Sequence, residues 1–350
     1  GSGTPVSERK RLAIEMFERG NSKGVVEILN EKDIAADAAQ ARKEIEQGKL
    51  LVDSGRSLIE AGLQKTRSLA EEYVLRVKAL MTDYAEPRRF ELACHAYEQG
   101  IELVRANLSE EELAKSLFEY GCFLQANKRY DLAEVRYREN LDIYQRLAAI
   151  SPQVYEPDLA MTQYNLGCLY SDTQRYEDSE KMYLSAMEIR RRLAVANPQV
   201  YEPDLADTQY NLGCLYYNIQ RYEESEEMYL SALEVYQRLT AVNPQVYEPY
   251  LVRACNNLSF LFLAQGNFEE AERYAREGAK YDSTHHTIYT NLAASLLLQG
   301  RYAEAEEIYL RYKEELKEDF LSDFEDFYQR GIIPPEREDD VERIKKLLSK

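Results

Sequence analysis

The chain has 350 residues, 45% of them hydrophobic, and its 62 acidic against 44 basic side chains give a formal net charge of −18. That balance argues against nucleic acid, whose binders present a basic surface to phosphates, and favours basic or neutral protein partners. No run approaches the roughly eighteen apolar residues of a membrane span, and no charged-then-apolar leader opens the chain.

Gly1-Ser2-Gly3 reads as a cloning remnant, which leaves room for a natural segment upstream. Residues 8–30 read as a short helical hairpin, with Leu12, Ala13, Met16 and Phe17 before Gly20 and Val25, Val26 and Leu29 after it. From Glu31 to about Asp83 there is no proline. Ala38, Ile45, Val52, Ile59, Thr66, Tyr73 and Leu80 fall seven apart, with Gly48, Gly55 and Gly62 on the adjacent edge. A heptad stripe implies a helix partner, and glycine in mid-helix costs about 1 kcal/mol, so three on one edge suggest close backbone approach. Two readings stay open: one long helix packed on the N-terminal hairpin or on a second chain, or a helix broken near Ser54-Gly55.

Further along, Tyr155–Leu184 and Tyr201–Leu230 are near copies, 46 residues apart and different at six of thirty positions. Pro152, Pro198 and Pro244 share that spacing, as do Pro157, Pro203 and Pro249. Between the prolines the apolar residues follow helical periodicity, and proline belongs before a helix or in its first turn. Each copy therefore reads as a helix, a tight turn at Gln174-Arg175 or Gln220-Arg221, and a longer second helix. Such a unit buries its apolar face only against a neighbour. Cys122, Cys168 and Cys214 recur beside Gly121, Gly167 and Gly213, as expected of a small apolar slot. The five cysteines form no CxxC pair or zinc spacing, and reduced thiols fit a cytoplasmic protein.

Asn-Leu-Gly-Cys-Leu-Tyr, followed by Arg-Tyr-Glu-Glu-Ser-Glu-Glu-Met-Tyr and Ser-Ala-Leu-Glu, resembles the tetratricopeptide repeat. In the best-matched copy the pattern falls on Leu212, Gly213, Tyr216, Tyr222, Ser225, Tyr229 and Ala232. The frame slides upstream to Gly121, Tyr130, Ala133 and Tyr137, and more weakly to Leu80, Tyr84, Phe90, Ala93 and Tyr97. Downstream it meets Leu258, Phe262, Gly266, Phe268 and Ala271, then Leu292, Gly300, Tyr302, Ala305 and Tyr309. The enlarged units are similar to those of kinesin light chains and many bacterial signalling proteins. The resemblance implies an all-α, right-handed superhelical solenoid of about six hairpins. An N-terminal helical segment with the start of the long helix would occupy 1–64, the repeats 65–315, and polar capping helices 316–350.

Catalytic signatures are missing from the sequence. There is no phosphate-binding glycine loop and no nucleophile elbow, and His95, His285 and His286 lack partners at metal spacing. No enzyme activity, cofactor or metal is expected. Asn165, Asn211, Asn257 and Asn291 share one register of their first helices, where asparagine is a poor choice. In this family the first helices line the groove, and an amide there can bridge an extended peptide backbone, with Tyr164, Tyr210 and Tyr217 supplying stacking area. The other reading is a hydrogen bond between helices that sets repeat geometry. The expected function is a non-enzymatic scaffold that holds a peptide or protein segment in the groove, without nucleic acid or membrane and with self-association through the long helix. The alternative is a regulatory arm of a larger bacterial effector or defence protein whose catalytic domain lies upstream of this sequence.

Overall fold

A computed structural model describes residues 6–50, 55–281 and 287–349, and every regular element among them is a helix. The chain divides into two compact units, residues 1–162 and 163–350.

The first unit holds α1 (Val6–Glu18), α2 (Ser22–Ile28), α3 (Glu31–Leu50), α4 (Gly55–Thr82), α5 (Arg89–Asn107), α6 (Glu110–Ala126), α7 (Tyr130–Ile150) and the start of α8 (Pro152–Asp172). Local signals set several ends. Asn21 Oδ1 accepts from the Gly24 N–H at 3.0 Å and opens α2. Ser109 and Glu112 form a reciprocal capping box that opens α6. The N-terminal hairpin α1–α2 rests on α4. There the Arg9 guanidinium lies 2.8 Å from both Glu72 and Asp37, and Arg76 Nη1 donates to the Val26 and Leu29 carbonyls at the end of α2.

The single long helix from Glu31 does not form: α3 and α4 fold side by side. The glycine edge explains the close fit, because a Cβ on Gly62 would lie 2.7 Å from Ile45 Cγ1 and 3.4 Å from the Ala41 carbonyl oxygen. Ile45, Thr66, Tyr73 and Leu80 of the heptad stripe are buried within this unit. The stripe thus finds a helix partner in the same chain. Gly48, Val52 and Gly55 lie outside the residues whose surroundings are described.

The second unit continues α8 and adds α9 (Tyr176–Ala196), α10 (Pro198–Asn218), α11 (Tyr222–Val242), α12 (Pro244–Ala264), α13 (Phe268–Tyr281), α14 (Thr287–Leu298), α15 (Tyr302–Arg311), α16 (Lys313–Gln329) and α17 (Glu338–Ser349), with a 3-10 turn at Pro335–Arg337 before α17. Both helices of the enlarged repeat are 21 residues long, so the second is not the longer one. The first helix begins at Pro198 and runs through Pro203. It can do so because the N–H that Pro203 lacks would have bonded the carbonyl of Gln199, an exposed residue of the opening turns that water can serve.

The hairpin turns use left-handed backbone at one equivalent position: Gln174 and Gln220 at φ 59° and 62°, then Gly266 and Gly300 at 73° and 82°. Inside the hairpins, a Cβ on Gly167 or Gly213 would sit 2.6 Å from the ring of Tyr183 or Tyr229. Ser179 and Ser225 donate to the carbonyls of those same glycines at 2.8 Å. Cys168 lies in the slot beside Gly167, receives a hydrogen bond from Tyr183 Oη at 3.2 Å, and has its thiol pKa raised by burial. At the C-terminus, α16 is amphipathic rather than polar. Phe320, Phe324 and Phe327 are fully buried in a core that also takes residues of α12, α14 and α17.

Candidate functional site

The asparagine register sorts itself by contact. Asn211 Nδ2 donates to Tyr164 Oη at 2.6 Å, and Asn257 Nδ2 donates to Tyr210 Oη at 2.8 Å. Asn257 also reaches Tyr229 Oη at 3.3 Å and Cys214 Sγ at 3.5 Å. Each amide therefore ties its first helix to the repeat before it, while the tyrosine rings pack in tilted pairs, Tyr164 on Tyr183 and Tyr210 on Tyr229. Burial raises the pKa of all four phenols, so their hydroxyls stay protonated and can donate as well as accept. Arg190 and Arg253 lie over the Tyr164 and Tyr210 rings at 4.6 and 4.3 Å. Tyr210 is 6% exposed and Asn291 4%, and Asn291 donates to Asn256 at 3.0 Å. Those two side chains serve packing rather than an open surface. Asn165 is half-buried at the same register of α8.

Tyr217 stands apart from this seam. It is half-buried at the end of α10, packs on Phe260 with centroids 5.6 Å apart, and borders an open cleft of about 160 Å³. Cys214, Asn218, Tyr229, Asn257 and Phe260 complete the lining. Phe260 and Asn218 escaped the sequence reading. Phe260 stands three residues after Asn257, within one helical turn of it, and that spacing was the available signal.

Family models for the tetratricopeptide repeat match residues 159–198, 205–240 and 261–319. The chain carries tetratricopeptide repeats. Proteins of this kind are protein-interaction scaffolds and typically non-catalytic. BtubC (BKLC) from P. vanneervenii is a structural neighbour at 20% identity and a TM-score of 0.53, covering 71% of this chain and 90% of its own. The apo form of RapI gives 14% identity and a TM-score of 0.56, covering 98% and 97%. At such identities the likeness concerns the fold alone. No curated protein matches the chain.

A second opening belongs to the first unit. A cleft of about 460 Å³ lies among α1, α4, α5 and α6, with Ile14, Val74 and Ile101 among its apolar walls and Lys10, Lys78 and Glu119 among its polar ones. Among the described residues, no three His, Cys, Asp or Glu side chains cluster as metal ligands, and no helix is long and apolar enough to cross a membrane. His95 Nε2 lies 2.7 Å from Glu31 Oε1 at the surface, and His285 and His286 lie outside the described residues.

Proposed function

We propose that this protein captures a peptide or protein segment along the first-helix face of its second unit, at the cleft between α10 and α12. One observation carries the reading: the amide seam is closed, yet an aromatic and amide cleft remains open beside it at Tyr217, Asn218, Asn257 and Phe260. Rings and amides converging on a concave spot are what a side chain with its flanking backbone needs. Asn257 has its N–H groups turned to Tyr210 and Tyr229, which leaves its carbonyl oxygen as the acceptor for a peptide N–H. Asn211 and Asn165 extend the same register, and Tyr164 holds that register through Asn211. Asn291 and Tyr210 contribute by fixing helix positions. Five free thiols suit the reducing cytoplasm.

Random peptides displayed on phage test this reading. Selected peptides are expected to lose affinity, by roughly threefold to thirtyfold for one hydrogen bond or ring contact, on Asn218→Ala and on Phe260→Ala. Melting of the exposed Asn218→Ala variant should stay at the wild-type temperature. Selected peptides that bind both variants as they bind wild type would overturn the proposal.

A further inference from the structure

Arg330, immediately after α16, reaches back 113 residues to this cleft. Its guanidinium lies 5.4 Å from the Tyr217 ring centre and 6.0 Å from that of Phe260. Nη1 donates to Tyr217 Oη, and Nε donates to Asp326 Oδ1 at 3.0 Å. The corner therefore offers two aromatic faces, a phenol oxygen and a carboxylate to one planar cation. Asp326 Oδ2, the other oxygen of that carboxylate, is buried and has no hydrogen-bond donor among the described residues. Arg330 is held in the corner but remains open to solvent. Its side chain is 37% exposed, and Gly331 follows in left-handed backbone with open space where a Cβ would stand. The side chain can leave the corner by a rotamer change while the Gly331 and Ile332 N–H groups stay bonded to the Tyr328 and Phe327 carbonyls.

We infer that the Tyr217–Phe260–Asp326 corner is an arginine-recognition subsite, held in the free protein by Arg330 and taken over by an arginine of a basic partner segment. The inference rests on the groove reading above and specifies the partner's chemistry. Arginine fits better than lysine, because a planar guanidinium stacks on two rings while its fork donates to both oxygens in reach. A net charge of −18 draws basic segments toward the surface. Arg330 acts as a tethered competitor, lowering apparent affinity by the fraction of time it occupies the corner.

The probe is a fluorescein-labelled decapeptide of glycine and serine with a central Arg-Leu-Arg, compared with Gln-Leu-Gln at the same place and read by anisotropy on the full chain. Arg330→Gln should tighten the arginine peptide by roughly threefold to thirtyfold, the range of one cation–ring contact, and leave the glutamine peptide unchanged. Tyr217→Leu added to Arg330→Gln should cancel the gain. If Arg330→Gln fails to fold, Arg330→Lys, which keeps the charge but loses the fork, should shift the arginine peptide in the same direction. Equal affinity of the arginine peptide for folded wild type and variant overturns the inference. In that event a glutamine peptide still weakened by Phe260→Ala leaves the groove reading standing, whereas indifference of both peptides to Phe260→Ala overturns that reading too.

Discussion

The amide of Asn257 donates to the hydroxyl of Tyr210, 47 residues earlier, and Asn211 repeats the bond to Tyr164 across the same interval. The enlarged repeats are thus joined by a polar rung as well as by apolar packing. A part-buried hydrogen bond contributes about 1 kcal/mol, and the group left behind adds a desolvation cost when only one partner is removed. Asn211→Ala and Tyr164→Phe should each lower the urea midpoint, and the double variant should cost about 1 kcal/mol less than the sum. Strict additivity in that cycle would show that the rung carries no coupling.

Gly213 and Tyr229 make a second test. Alanine raises helix propensity by about 1 kcal/mol over glycine, but a Cβ here would stand 2.6 Å from the Tyr229 ring. Overpacking costs about 1–3 kcal/mol and should win. Gly213→Ala is expected to lower the melting temperature, and to do so less in a Tyr229→Leu background, where the ring is gone. Thermal unfolding followed by circular dichroism measures both.

At the hairpin turns the sign reverses. Gln220 holds φ 62° where the later hairpins place glycine. A left-handed residue with a Cβ is strained by about 1–2 kcal/mol, partly offset by the greater freedom glycine has when unfolded. Gln220→Gly should therefore stabilise by about 0.5 kcal/mol, and Gly266→Ala should destabilise. A lower midpoint for Gln220→Gly would mean that its side chain makes up for the strain.

The first unit should respond to pH through Glu72. Burial pushes this carboxyl up from 4.5 to about 7, while Arg9 pulls the other way. A carboxyl raised on folding binds its proton more tightly in the native state, so stability slopes downward with pH. That contribution is full below about 4.5 and lost as pH rises through about 7. Glu72→Gln should flatten the slope across this window in chemical denaturation of the N-terminal unit. Asp323, raised by burial to about 6, adds the same sign in the second unit.

Repeat length, hairpin composition and turn positions were legible because each follows from residues a few positions apart. Proline opens a helix; small residues let the two helices of a hairpin approach; apolar residues recur at helical spacing. The sequence by itself thus determined that Gly167 and Gly213 mark tight hairpins and that the asparagines share one register. Tertiary structure decided what those residues meet. A heptad stripe from Ala38 to Leu80 suits a long helix and a folded pair equally, and only the packing of Gly62 on Ile45 shows the second. The asparagine amides found tyrosines one repeat back, and Arg330 found Tyr217 across 113 residues. Helical periodicity fixes which face a side chain occupies, but the partner on that face is set by long-range packing, which local spacing does not encode.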